Sequence, residues 1–197
     1  MPRTAEQYEE IRKEKKQLIM DSALELFANN GYASTSISQI AEKANISKGL
    51  MYNYFSSKEE LLQSILNLLS DEIAEMIDPN HDNEISEEEA VHFFDLYFDM
   101  LKNRREQIKL YSQISVQPEV VGYMSEKKIN TNILKQQEMI IDFIIKRSNI
   151  NPIFQIISIS SLIKGFTHQY VFSPELFPDE LLENYKEYLK NTLIRNK

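Results

Sequence analysis

From Thr35 to Lys58 the chain gathers side chains that can grip a phosphate backbone or read a base edge. Thr35 and Ser36 carry hydroxyls at a helix start, where unpaired backbone N–H groups also favour an anion. Ser47 stands at the start of a second helix. Lys48 follows it, with an ammonium that reaches guanine acceptors or a phosphate. Gly49 lets the backbone approach a partner closely. Leu50 cannot hydrogen-bond and touches at most a thymine methyl. Asn53 offers an amide to adenine or to a phosphate. Met singly, each is an ordinary solvated position; their spacing gives them a joint meaning.

Two short helices and a tight turn must hold these groups. Ser36-x-x-Gln39 is a capping box, in which hydroxyl and amide each satisfy an orphan N–H. Ile37, Ile40, Ala41 and Ala44 then share one face. Asn45 stops the helix, because after Gly it best tolerates the left-handed conformation of a sharp turn. Ile46 anchors the turn from beneath, and Ser47 caps the second helix. Ala41 is small where the helices cross. That order predicts a helix-turn-helix over about 36–55. Residues 18–31, LIMDSALELFANNG, form a preceding helix ended by Gly. The segment SSKEELLQSIL opens the following helix with a second capping box, Ser57-x-x-Glu60.

The ordered blocks LIMDSALELFANNGY, TSISQIAEKANIS, KGLMYNYF and SSKEELLQSIL, over roughly residues 10–70, resemble the N-terminal domain of TetR-type (tetracycline-repressor family) transcriptional regulators. The resemblance implies an all-helical homodimer that binds double-stranded operator DNA through this domain. It also implies a ligand-responsive C-terminal domain. Tyr52 matches the family's phosphate-contacting Tyr, and Lys58 its phosphate-binding Lys. Tyr54 matches another contact position, although its ring suits inward packing equally well. Leu50 departs from the family's common Thr, and Asn53 replaces its usual His.

Composition fits this frame. A chain of 197 residues with 4 Gly and 6 Pro favours long helices in one or two domains. The absence of Cys excludes disulfides, thiolate metal sites and thiol nucleophiles. Residues 1–17 are too charged for a signal peptide, and no apolar run spans a bilayer. The expectation is a cytoplasmic protein without membrane contact. The net charge is −8, and residues 1–60 hold eight Lys/Arg against nine Asp/Glu. Residues 33–58, however, carry Lys43, Lys48 and Lys58 against Glu42 alone, and phosphate binding needs only a local positive face. Glu89-x-x-His92 matches half of a di-iron bundle motif, but His81 and His168 follow Asp78 and Gly165 at that spacing. There is no Gly-x-Ser-x-Gly elbow and no Gly-rich phosphate loop. No catalysis, cofactor or metal is expected.

Further helices are predicted from Lys58 to about Ile77, Ser86 to about Lys102, 104–116, Pro118 to about Arg147, Pro152 to about Phe172 and Asp179 to about Ile194. The expected architecture is all-α, with about nine helices. Residues 1–57 form a three-helix DNA-binding domain, and residues 58–197 an effector-binding and dimerisation domain, with the boundary inside the helix from Lys58. Phe94, Tyr97, Phe98, Tyr111, Phe143 and Phe166 are candidate liners of an effector pocket, with Gln113, Asn130 or His168 as polar handles. Ordinary helix core explains the aromatic residues equally. Lys102, Arg104, Arg105, Lys127 and Lys128 fall on polar faces, so a neutral or cationic hydrophobic effector is expected. In the family the last two long helices pair across a dimer. Ile159, Ser161 and Gly165, with Leu182, Tyr185 and Leu189, are the candidate interface here. The resulting reading is a sequence-specific transcriptional repressor released from a palindromic operator by a small hydrophobic effector. The alternatives are an activator or effector-independent regulator, or a helical enzyme or carrier with a vestigial DNA-binding motif.

Overall fold

The computed structural model describes residues 4–126, 131–146 and 151–195. Among these it has ten α-helices and no strand. They are α1 (Ala5–Asn30), α2 (Ile37–Lys43), α3 (Lys48–Met51), α4 (Lys58–Ile77), α5 (Glu87–Asn103), α6 (Arg105–Ser115), α7 (Pro118–Glu126), α8 (Thr131–Ile145), α9 (Pro152–Phe172) and α10 (Asp179–Lys190). The fold is all-α, as expected. Where the sequence predicts one helix from Pro118 to about Arg147, the structure has α7 and α8, which makes ten helices instead of about nine. Lys127, Lys128, Asn130 and Arg147 lie outside the described residues.

Helix starts follow local chemistry. Thr4, Ser36 and Ser86 each cap a helix reciprocally with Gln7, Gln39 and Glu89 three residues on. Asn151 accepts a hydrogen bond from the Ile153 N–H at 3.0 Å, with Pro152 as the first residue of α9. Each such cap contributes about 1 kcal/mol. The box expected at Ser57 is only half formed. The Ser57 hydroxyl accepts from the Glu60 N–H at 3.0 Å, but the Glu60 carboxylate turns back to Ser56, accepting its N–H at 2.7 Å. The Ser56 hydroxyl also donates to Glu60, and these bonds hold the Glu60 carboxyl below its ordinary pKa.

Contacts divide the chain into two compact units, residues 1–69 with 110–126, and residues 70–109 with 127–197. The division falls inside α4, after Leu69, and the N-terminal unit takes in residues 110–126 as well. Its core is built from Ile19, Ala23, Leu24 and Phe27 of α1, Ile40 and Ala41 of α2, Met51 of α3, and Leu61, Leu62 and Ile65 of α4. Phe55, Tyr111, Ile114 and Val120 complete it. Each large side chain buried there stabilises the unit by about 1.5–3 kcal/mol.

The other unit is knit by α5, α9 and α10. Phe98 stacks on Phe166 at 5.4 Å between ring centroids, and Phe166 stacks on Tyr185 at 4.3 Å. Lys186 and Lys190 of α10 are buried and both pair with Asp95 of α5, while Lys186 also pairs with Glu183 and Lys190 with Glu187. Burial opposes ionisation of Asp95. The hydrogen bond from Lys190 and the two ammonium charges outweigh it and hold the carboxyl below its usual pKa.

Candidate nucleic-acid interface

The site begins where α1 ends. Gly31, at φ 89°, turns the chain out of the helix, and its N–H donates to the Phe27 carbonyl at 3.1 Å. The following loop is fixed by three polar side chains. The Thr35 hydroxyl lies within hydrogen-bonding distance of the carbonyls of Gly31 (2.8 Å) and Leu26 (3.2 Å). The Gln117 amide, between α6 and α7, donates to the Phe27 carbonyl and accepts from the Tyr32 N–H, each at 2.7 Å. The Lys58 ammonium donates to the carbonyls of Tyr32 (2.9 Å), Thr35 (3.0 Å) and Ala33 (3.4 Å), and stands 4.4 Å from the Tyr32 ring centroid. Burial, reinforced by the Glu59 charge, pushes the Tyr32 hydroxyl pKa up to about 12.

The motif itself is built as its residues require. Ser36 caps α2, whose Ile40, Ala41 and Ala44 are buried. Asn45 adopts φ 52°, and the Ile46 N–H then donates to the Ala41 carbonyl at 2.9 Å. Ile46 packs on the core from beneath the turn. The Ser47 hydroxyl accepts from the Leu50 N–H at 3.1 Å and starts α3. Met51 and Phe55 sink into the core and leave Tyr52 and Asn53 outside. Lys48, Gly49 and Asn53 are exposed, Leu50 is 38% and Tyr52 49% exposed. A Cβ on Gly49 would meet only the Ser47 hydroxyl, at 4.0 Å, so the fold leaves that surface open for close approach.

The expected set therefore divides. Ser36, Ser47, Lys48, Gly49, Leu50, Tyr52 and Asn53 lie on or beside the exposed face of the two helices. Thr35 does not belong with them: it is 2% exposed, and its hydroxyl is engaged with the carbonyls that end α1. Tyr54 is half-buried against the core. Lys58 has three donors and three carbonyl partners, so a phosphate contact requires it to release one. Lys43 pairs with Glu25 at 2.7 Å. Gln117 was not marked by the sequence at all, since its partners lie 85 and 90 residues away.

The expected effector liners are divided between the two units. Tyr111 belongs to the N-terminal core. Phe94, Phe98 and Phe166 are buried in the other unit, where ring packs on ring, and the Tyr97 hydroxyl shares a 2.7 Å hydrogen bond with Thr167. Phe143 is half-buried on α8. That unit has a polar cavity of about 140 Å³ lined by Ala74, Glu75, Asp78, His81, Lys135, Gln136 and Met139. Asp78 Oδ1 and Gln136 Nε2 are buried there without a hydrogen-bond partner among the described residues. Glu89 accepts the Ser86 N–H at 2.8 Å as part of its capping box, and His92 is exposed. Of the expected dimer residues, Ser161 and Gly165 are exposed on α9 and Ile159 is half-buried. Leu182 and Leu189 point inward at 1% exposure, and Tyr185 stacks on Phe166. The exposed apolar side chains of α9 and α10 are instead Ile153, Phe154 (64%), Ile157, Leu162, Leu181 and Tyr188 (56%).

Known proteins share the motif and the fold. Residues 19–65 match the family model described as bacterial regulatory proteins, tetR family. An HTH-type transcriptional regulator of Bacillus subtilis, YuxN, is 56% identical over 59 residues, which are 30% of this chain and 20% of that protein. The negative transcriptional regulator IcaR of the Staphylococcus epidermidis biofilm operon icaADBC is 31% identical over 108 residues, 54% of this chain and 57% of that protein. The chain thus spans from a fifth to somewhat over half the length of these curated relatives. The solved structure of the fatty acid degradation regulator FadR from Bacillus halodurans superposes with a TM-score of 0.68 at 16% identity, over 90% of this chain and 98% of that one. Capped helices, a left-handed Asn at the turn, a buried core beneath them and the matched residues agree: residues 19–65 form a helix-turn-helix domain like that of the tetR family of bacterial regulatory proteins.

Proposed function

We propose that the protein is a dimeric, sequence-specific DNA-binding regulator of transcription, a repressor that works in the cytoplasm. The observation that carries this is the exposed face of α3. Lys48, Gly49, Leu50, Tyr52 and Asn53 stand outward on a helix whose other side, Met51 and Phe55, is locked in the core. Such a helix presents its N-terminal side chains to a major groove while the core fixes their aim. IcaR, a negative regulator by name, supports repression over activation. Among the described residues no helix is long and apolar enough to cross a membrane.

Two-fold operators call for two-fold proteins. The exposed Phe154, Ile157, Leu162, Leu181 and Tyr188 supply an apolar surface on α9 and α10, with Ser161 and Gly165 allowing close approach. For the effector, the closed aromatic cluster favours an apolar molecule that parts Phe98 from Phe166. The unpartnered Asp78 and Gln136 atoms favour a second reading: a small polar effector with both a donor and an acceptor, seated in the 140 Å³ cavity. Selection of duplexes from random-sequence DNA by the purified protein tests the main reading. Enrichment of one palindrome is expected, and recovery of unrelated sequences overturns it. Compounds that raise the melting temperature and also release the selected duplex then separate the two effector readings by their polarity.

A further inference from the structure

The connection between α4 and α5 carries a spacing that a plain linker does not need. From Asp78 to Glu89 it reads Asp-Pro-Asn-His-Asp-Asn-Glu-Ile-Ser-Glu-Glu-Glu. The calcium-binding helix–loop–helix known as the EF-hand draws its ligands from the first, third, fifth, seventh, ninth and twelfth residues of a twelve-residue loop. Those places are held here by Asp78, Asn80, Asp82, Glu84, Ser86 and Glu89. The pattern asks for Asp first, Asp or Asn third and fifth, and Glu twelfth, and each is met. The seventh residue gives only its backbone carbonyl, and the ninth often acts through a water. The sixth makes the sharp turn and is ordinarily Gly. Here it is Asn83, a residue type that reaches positive φ far more readily than most. The helices stand where the pattern needs them, with α4 ending at Ile77 and α5 beginning at Glu87.

The loop is folded accordingly. Asn83 adopts φ 68°, and His81 φ 58°. The Asn83 N–H donates to Asp78 Oδ2 at 3.3 Å, which turns the Asp78 carboxylate over the loop. Asn80 Oδ1 accepts the Asp82 N–H at 2.9 Å, and Asp82 Oδ1 accepts the Glu84 N–H at 2.8 Å. The Glu84 carboxylate, which the pattern does not use, stands 4.0 Å from Lys146. Turns built on Asn and Asp account for these bonds by themselves. They do not account for Asp78 Oδ1, the other oxygen of the same carboxylate. It is buried and has no hydrogen-bond partner among the described residues. An ionised oxygen left in that state is costly, and a bound cation removes the cost.

Glu89 stands apart from the other three side chains. Its carboxylate accepts the Ser86 N–H at 2.8 Å, and among the described residues no three Asp, Glu or His side chains converge as a metal set. Bringing Glu89 to an ion costs that one bond. The Ser86 hydroxyl keeps the Glu89 N–H at 3.1 Å, so α5 stays capped, and Ser86 is exposed, so water can take its N–H.

We propose that the α4–α5 loop binds one calcium ion through the side chains of Asp78, Asn80 and Asp82, the Glu84 carbonyl, and Glu89 swung in from its cap. The oxygen-only donor set and a twelfth-place Glu able to bind through both oxygens suit Ca2+, whereas Mg2+ demands near-ideal octahedral geometry. The ion takes Asp78 away from the polar effector considered above and leaves Gln136 to it. The site stands independently of the DNA-binding reading.

The test uses the full chain, stripped of metal with a chelator and titrated with CaCl2 by calorimetry. The melting temperature is followed by circular dichroism with and without millimolar CaCl2. One ion per chain and a raised melting temperature are expected, because the ion binds only the folded loop. Glu89→Gln removes a ligand but keeps the cap, since Gln7 and Gln39 fill that place in α1 and α2. It should weaken binding at least about tenfold, as should Asp78→Asn. Glu87→Gln/Glu88→Gln removes more charge from places that hold no ligand and should bind as the wild type does. No heat and no rise in melting temperature with CaCl2 overturns the site. So does undiminished binding by Glu89→Gln, or an equal loss in Glu87→Gln/Glu88→Gln, which would show a diffuse attraction to acidic surface. Binding of MgCl2 as tight as that of CaCl2 overturns the calcium assignment.

Discussion

Lys58 offers the sharpest test of how this interface is held. Its ammonium makes two good hydrogen bonds, to the Tyr32 and Thr35 carbonyls at 2.9 and 3.0 Å, and a weaker one to Ala33 at 3.4 Å. It also lies over the Tyr32 ring. Charged hydrogen bonds contribute about 1.5–3 kcal/mol when buried, and a half-exposed cation over an aromatic ring about 0.5–1 kcal/mol. Lys58 is itself half-buried, so water can replace part of what is lost on truncation. The net cost of Lys58→Ala is therefore about 2 kcal/mol. For a chain of this length that lowers the melting temperature by roughly 4–8 °C. Circular dichroism at 222 nm measures it directly, and anisotropy titrations at several salt concentrations give the DNA side. The clamp predicts a lower melting temperature and a salt slope close to wild type. A wild-type melting temperature with a slope reduced by about 0.9 would refute this reasoning and return Lys58 to the phosphate role.

Three other outcomes follow from the geometry. Lys48→Ala removes an exposed side chain, so the melting temperature should hold while the preferred duplex loses about 1–3 kcal/mol relative to random DNA; equal losses on both would remove Lys48 from base readout. Gly165→Leu should yield a helical monomer in sedimentation at micromolar concentration, because a Cβ there meets nothing within 4 Å in the protomer and the larger side chain projects into the proposed contact with a second copy; a persisting dimer would show that Gly165 faces elsewhere. Asp95 has a folded pKa below its unfolded value of about 3.9. Its pairing with Lys186 and Lys190 thus stabilises the fold above that pH and is lost as the pH falls through the folded value. Asp95→Asn should lower the melting temperature at pH 7 and shrink the loss on acidification. An unchanged acid profile would place the pH sensitivity in other carboxylates.

Local chemistry was legible in the sequence and long-range chemistry was not. The Ser36 and Ser86 boxes, the left-handed Asn45, the anchor Ile46 and the bounds of α4 and α9 each depend on residues within one or two turns, and the structure has them as read. Thr35, Lys58 and Tyr111 were assigned roles from their types and positions. Their actual partners are carbonyls and rings brought in by tertiary structure, from 4 to 26 residues away for the first two. Leu182 and Leu189 were placed on an outer stripe because a helix that is apolar on two sides gives no sign of which side meets α5 and α9. The aromatic residues are abundant enough to suggest a pocket, but which of them stack on one another depends on helices far apart in sequence.

Gln117 carries a consequence for how the protein is made. It reaches back to Phe27 and Tyr32 across 90 and 85 residues, and Tyr111, Ile114 and Val120 come from the same late segment to complete the core that carries α2 and α3. A ribosome adding about 5–20 residues per second exposes the whole helix-turn-helix several seconds before these pieces emerge. During that interval the nascent unit has unsealed apolar surface and a free α1–α2 loop, a natural target for chaperones. Contacts this distant slow folding through the entropy of closing the intervening chain. The helix-turn-helix unit is thus completed only once residues 110–126 have been made, so it cannot be released as a finished amino-terminal fragment by a cut after α4.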